Sequence, residues 1–241
     1  MIDFITGEKF AQLADDKNVF YVETHSLRKF NYPKSPFVLI THNSDCGVTV
    51  TTLPENLIHW FAQNVEVKNS RISSIPIGLE NAKWFPDVHK KDKMEATLQK
   101  QKSYRNLMYM NFNIQTHPDR KIPYLLLHRE PWVTVERGRN GLGFDAYLDN
   151  IYNHKFVLSP RGNGIDTVRT WECLYMGVIP IEKRNINNQF YTDLPICFVD
   201  DWWDITETFL VREYERIKSK KWNMDKISFN YWKNKITQYG K

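Results

Sequence analysis

This chain of 241 residues lacks most of the features that mark specialised protein classes. Its three cysteines, Cys46, Cys173 and Cys197, are far apart and show no Cys-x-x-Cys spacing. Neither a disulfide framework nor a zinc site is suggested, and Cys173 and Cys197 sit in apolar surroundings suited to small buried side chains. No apolar run is long enough to span a bilayer, and the opening MIDFITGEKF has no basic segment followed by an apolar core. The expectation is a soluble, cytoplasmic protein. The net charge of +5 is spread along the chain without the dense basic stripe of a nucleic-acid binder. Repeats and low-complexity tracts are also missing.

What is present reads as α/β. Strand-like runs alternate with helical patterns throughout, which predicts parallel sheets. In the first half the expected strands are 19–22, 37–41 and 72–77, and Asn56 to Asn64 reads as a helix with Leu57, Trp60 and Phe61 facing inward. From Pro86 to about Lys102 the sequence turns polar and lysine-rich and reads as an interdomain connection, part of it helical. The second half shows a strand at 107–112, a helix at 120–127, a strand at 132–135 and a helix at 144–152. A last strand at 197–199 precedes amphipathic segments near 205–217 and 224–239. The domain reading is 1–100 for an N-terminal half with its linker, 101–222 for a C-terminal half, and 223–241 for a final helix.

The most informative stretch is FVLSPRGNGIDTVRTWECLYMGVIPI, Phe156 to Ile181. Phe156, Val157 and Leu158 form a short apolar run of the kind that is buried on both faces of a parallel sheet. Gly162 and Gly164 then let backbone N–H groups approach an anion, and Asp166 or Thr167 can cap the helix that follows. Gly177 ends that helix, and Val178 to Ile181 enter the next strand. A helix N-terminus just after a strand favours phosphate, because unpaired N–H groups and the macrodipole both attract negative charge. Arg161 and Arg169 add positive charge, and Asn163 lies within the turn. Arg169 and Glu172, three residues apart, share a helix face, so a pyrophosphate by the loop would place a ribose diol near the Glu172 carboxylate.

This pattern resembles the donor-binding segment of exostosin-like glycosyltransferases (GT47-type) of the GT-B fold, where a proline-glycine turn, an arginine, a glutamate and a G-x-I-P strand recur in this order. The resemblance implies two Rossmann-like parallel-sheet halves facing across a cleft, with the N-terminal half reduced in so short a chain. It implies a nucleotide-sugar donor, UDP- or GDP-linked, held by the C-terminal half, with Arg169 near the phosphates and Glu172 at the ribose. It also implies a final helix that crosses back onto the N-terminal half. A chain without a membrane anchor fits a small soluble bacterial or viral-type member. GT-A transferases usually hold a divalent ion with an Asp-x-Asp motif. None occurs here, and Asp200, Asp201 and Asp204 in VDDWWD look like a helix cap with its flanks. Metal-independent transfer is expected, with leaving-group charge balanced by Arg161, Arg169 and the helix N-terminus and no cofactor beyond the nucleotide-sugar co-substrate.

In open α/β sheets ligands lie outside the carboxyl ends of the strands. Two first-half strands end in Thr24-His25 and Thr41-His42, the second followed by Asn43, Ser44 and Asp45. An inverting transfer to a glycan hydroxyl needs a base. Asp45 is the preferred candidate, His42 is next, and Glu23 and His25 are reserves. Asn111, Asn113 and Arg120 fall where the first strand of the donor half ends and are expected near the pyrophosphate or acceptor. Gly78, Glu80 and Asn81 in SIPIGLEN are expected to border the cleft. A competing reading is a non-catalytic nucleotide-sugar or glycan-binding module. A dehydrogenase fits less well, since the G-x-G lacks its third glycine and falls late in the chain.

Overall fold

The computed structural model describes residues 2–15, 18–84, 90–136 and 143–240. The first half is a short helix, α1 (Gly7–Ala11), and four parallel strands, β1 (Val19–Glu23), β2 (Phe37–His42), β3 (Leu57–Ala62) and β4 (Ile72–Ser74), in the order β1-β2-β3-β4. In β2 every residue is buried, and the two faces feed separate cores: Val38 and Ile40 point to one, Phe37 and Leu39 to the other. That alternation is the period of a strand covered on both sides.

The helix expected over Asn56 to Asn64 is the strand β3. Leu57, Trp60 and Phe61 satisfy a helical spacing, but they equally fit an apolar run in a strand buried on both faces. Pairing with β2 and β4 decides between the two, since Trp60 and Phe61 lie opposite Leu39 and Ile40 on one side and Ile72 and Ser73 on the other. No α-helix links these four strands; a 3-10 turn at Thr24–Lys29 follows β1 and loops join the rest. The expected strand 72–77 ends at Ser74, and the following residues form a loop.

The second half contains α2 (Lys90–Leu98), β5 (Asn106–Asn111), α3 (Lys121–Leu127), β6 (Val133–Glu136), α4 (Phe144–Tyr152), β7 (His154–Leu158), α5 (Val168–Tyr175), β8 (Ile179–Lys183), β9 (Cys197–Val199) and α6 (Glu207–Ser219). Its five parallel strands run β6-β5-β7-β8-β9, so the chain reverses direction across the sheet between β5 and β7. Met108 and Met110 face one core with Phe156 and Leu158, while Tyr109 and Val157 face the other. Helix α2 lies inside the lysine-rich stretch read as a connection. It packs on α4, buries Met94 and sends Lys93 to Asp145 at 2.8 Å, so this segment belongs to the packing of the second half.

The last helix, α7 (Phe229–Tyr239), lies against the first half. Its Phe229 ring meets Phe10 at 5.4 Å and its Tyr239 ring meets His59 at 4.5 Å, while the Phe229 N–H donates to Asp3 O at 3.0 Å. The two halves share one apolar cluster, in which Phe4, Ile40 and Phe61 join Tyr109, Val157 and Trp171. Buried polar bonds cross the same boundary: Ser74 Oγ and the Val65 N–H both donate to Asn187 Oδ1, at 2.7 and 2.8 Å. Among the described residues no helix is long and apolar enough to cross a membrane.

Candidate functional site

In a doubly wound sheet the two loops leaving the strands at the reversal diverge, and a crevice opens outside their carboxyl ends. Here those strands are β5 and β7. A cavity of about 910 Å³ lies there, walled on one side by Met110 of β5 with Phe112 and Asn113 just after it, and by the turn after β7 with the start of α5, from Gly162 to Arg169. Asp45, Ile77 and Glu80 of the first half form the facing wall.

The electrostatics of this cavity are set by Arg120 and Arg169, each only 8 % exposed. Arg120 Nε donates to Arg161 O at 2.8 Å and its Nη1 to Asn113 O at 3.1 Å, while Arg169 Nη2 donates to Asn111 O. Those acceptors are neutral carbonyls. Among the described residues neither guanidinium has a carboxylate in ion-pair range, and Arg169 Nε has no hydrogen-bond partner. Burial and the neighbouring Arg169 charge together push Arg120 down to about 10. Two buried cations that have no ion-paired carboxylate among the described residues are costly to hold together, and an anion between them relieves both the desolvation and the repulsion.

Asp45, Arg120, Gly162, Asn163, Gly164, Asp166, Thr167 and Arg169 all line this cavity. Asp45 is exposed and accepts from Asn163 Nδ2 at 3.3 Å, which closes the gap between the halves at one edge. The other sequence-derived candidates lie elsewhere. Asn111 is buried behind the wall, its Nδ2 donating to Tyr109 Oη at 2.7 Å and its carbonyl holding Arg169. Arg161 braces the turn by donating to Asn163 O at 3.1 Å. Glu172 is fully buried and accepts from Tyr147 Oη at 2.7 Å beneath α4, so the carboxylate expected at a ribose is not on the cavity surface. The face it shares with Arg169 leads inward, where α4 covers it.

His42 is 1 % exposed and lines a smaller, adjoining cavity of about 310 Å³. Its Nε2 lies 2.9 Å from Pro76 O, and the Asn43 N–H donates to its Nδ1 at 2.8 Å, which fixes the Nε2–H tautomer and uses both nitrogens. Burial lowers its pKa, so it stays neutral and acts as a brace for the loop after β4. His25 is exposed beside Glu23, 3.4 Å away, just past the carboxyl end of β1, the edge strand of its sheet.

Asp166 and Gly164 serve the joint between the halves. The Asp166 carboxylate accepts from the Ile77 N–H at 2.8 Å, the Thr167 N–H at 2.8 Å and Trp171 Nε1 at 3.0 Å; burial still pushes its pKa up to about 6. Thr167 stands at the start of α5 without a side-chain cap bond, its hydroxyl lying 2.9 Å from that of Ser159. A Cβ on Gly164 would fall 2.7 Å from Asn64 Nδ2, whereas one on Gly162 would meet only the end of the Arg120 side chain, at 3.2 Å. Asn64 has a left-handed backbone, φ 57°, and accepts from the Asp166 N–H at 2.9 Å.

Residues not anticipated from sequence include Phe112, Tyr124 and Val135, which give the cavity an apolar side, and Glu136, which ends β6. Their signal was position: Phe112 follows the carboxyl end of β5 at the reversal, and Glu136 ends the neighbouring β6. Compared with protein-family models and with curated proteins, the chain matches none.

Proposed function

We propose that the protein is a glycosyltransferase of GT-B-like layout, moving a sugar from a nucleotide-diphosphate sugar to a glycan hydroxyl. The observation that carries this reading is the pair of buried guanidinium groups, Arg120 and Arg169, which have no ion-paired carboxylate among the described residues, in the wall of a large cavity at the reversal of a parallel sheet. A diphosphate supplies the missing negative charge, and the apolar side formed by Phe112, Tyr124 and Val135 suits the flat face of a base. Asp45, exposed on the opposite wall, takes the proton of the acceptor hydroxyl as its oxygen bonds to the anomeric carbon. The nucleoside diphosphate departs with the bonding pair, its charge met by the two arginines, and the configuration inverts. Glu172 has no part in this scheme.

Thermal unfolding in the presence of UDP, GDP, dTDP or CMP tests the reading, because a ligand of the folded state raises the melting temperature. At least one diphosphate should do so, and Arg169→Met should weaken it about tenfold to a hundredfold, as expected for loss of about 1.5–3 kcal/mol from charge-assisted bonds. Asp45→Asn should retain the shift and lose turnover. Absence of a shift with every nucleotide rejects the proposal, and full turnover by Asp45→Asn removes Asp45 as the base.

A further inference from the structure

We propose that the 310 Å³ cavity beside the larger one is a second ligand site, built for a neutral, hydroxyl-rich molecule such as a sugar. In the transfer proposed above, on which this assignment of a role rests, that molecule is the acceptor.

The chemistry of the lining selects the ligand. Asn43, Gln63, Asn81 and Ser44 bring amide and hydroxyl groups to the lining beside the Asp45 and Glu80 carboxylates, the latter ion-paired with the Lys90 ammonium, and among the described residues no lysine or arginine lines the cavity. Asp45 disfavours an anion in this wall, and its amides and hydroxyls pair with hydroxyl groups. It lacks the two guanidinium groups, Arg120 and Arg169, that draw an anion to the larger cavity, while Asp45 and Glu80 line both. Gln63 provides an independent sign of an absent partner: it is 1 % exposed, and among the described residues its Oε1 accepts no hydrogen bond. A buried carbonyl without a donor is destabilising until one reaches it.

The rim adds a platform. Trp84 is 62 % exposed yet lines this cavity, so its indole presents an apolar face at the entrance, suited to the C–H side of a sugar ring. The Lys83 ammonium sits 4.9 Å from the ring centroid. The frame is held before any ligand arrives: Asn81 Nδ2 donates to Asn43 Oδ1 at 2.9 Å, the Glu8 N–H donates to Asn81 Oδ1 at 3.0 Å, and His42 anchors Pro76 O. Asp45, Ile77, Glu80 and Val168 line both cavities, so a hydroxyl bound in the smaller one faces the anion bound in the larger.

Saturation-transfer NMR with methyl β-D-glucopyranoside, methyl β-D-galactopyranoside and methyl β-D-glucuronide tests the site on wild type, Trp84→Ala and Gln63→Met. At least one neutral glycoside should show saturation that drops at least fivefold in Trp84→Ala and also falls in Gln63→Met, while the glucuronide shows none. The nucleotide-induced thermal shift should be unchanged in Trp84→Ala, whose side chain is on the surface. Binding of neither neutral glycoside, indifference to both substitutions, or equal binding of the glucuronide overturns the proposal. Nucleotide shifts without glycoside binding reject this site alone. Glycoside binding without any nucleotide shift keeps the sugar site and rejects the transferase reading.

Discussion

The two sheets differ in the one property that creates a crevice. In the C-terminal sheet the strand order β6-β5-β7-β8-β9 reverses between β5 and β7, and helices cross between strands; in the N-terminal sheet the order β1-β2-β3-β4 never reverses and loops make the connections. The large cavity lies at the reversal, and the N-terminal half contributes only its facing wall. The difference extends to backbone at the strand ends. After β7 the chain turns through Gly162 and Gly164, whereas after β2 and β3 it turns at Asn43 and Asn64 with φ of 55° and 57°. Asparagine tolerates this left-handed region better than most other side-chain-bearing residues, and the Asn64 amide accepts from the Asp166 N–H of the opposite half. One half therefore makes the pocket, and the other holds it shut along one edge.

The largest test of this contrast concerns the cover of the N-terminal sheet. Helix α7 reaches both halves: Phe229 and Tyr239 meet the first, and Trp232 packs against Tyr191 of the second with ring centroids 6.4 Å apart. Trp232→Ala should cost about 3–5 kcal/mol and still give a single urea transition, since one apolar cluster spans both halves. Two separate transitions would show that the halves fold independently.

The two glycines of the turn provide a smaller and sharper test. Gly164→Ala should destabilise by about 1–3 kcal/mol, because the new methyl meets the fixed Asn64 amide. Gly162→Ala makes the milder contact, with Arg120 Nη2 at 3.2 Å, and should cost less than about 1 kcal/mol. Equal costs in equilibrium unfolding would mean that the turn itself, and not the opposite half, requires glycine.

The smallest effects are pH slopes of opposite sign in the two halves. Burial lowers His59 of β3 from 6.5 to about 4, so its contribution to stability is complete above about 6.5 and is lost as pH falls through about 4. Asp166 is raised from 3.8 to about 6, so its contribution is complete below about 3.8 and is lost as pH rises through about 6. Urea midpoints at pH 4.5, 5.5 and 7.5 should show His59→Gln losing less stability than wild type on acidification. The deficit of Asp166→Asn relative to wild type should narrow as pH rises. Parallel curves for wild type and both variants would contradict these assignments.

Much of the C-terminal half was legible because its signals are local. Phe156, Val157 and Leu158 form β7, Gly177 with φ 64° ends α5, and Ile179 opens β8, each from a pattern a few residues long. Where the pattern served two structures, the reading failed: Leu57, Trp60 and Phe61 suit a helix face as well as a doubly buried strand. Glu172 shows the same limit. Its spacing from Arg169 defines a helix face, but the burial of that face depends on Tyr147, which lies 25 residues away in sequence.

By itself the sequence determined the α/β alternation, the strand-turn-helix at Phe156 to Ile181 and the basic character of the turn, since periodicity, glycine placement and charge act over short stretches. Tertiary structure alone decided that Arg120 joins Arg169, that Glu172 is sealed and both His42 nitrogens are engaged, and that Gly164 makes room for Asn64. Those outcomes depend on which distant segments meet, and contacts between distant segments are set by packing the two sheets on one shared core.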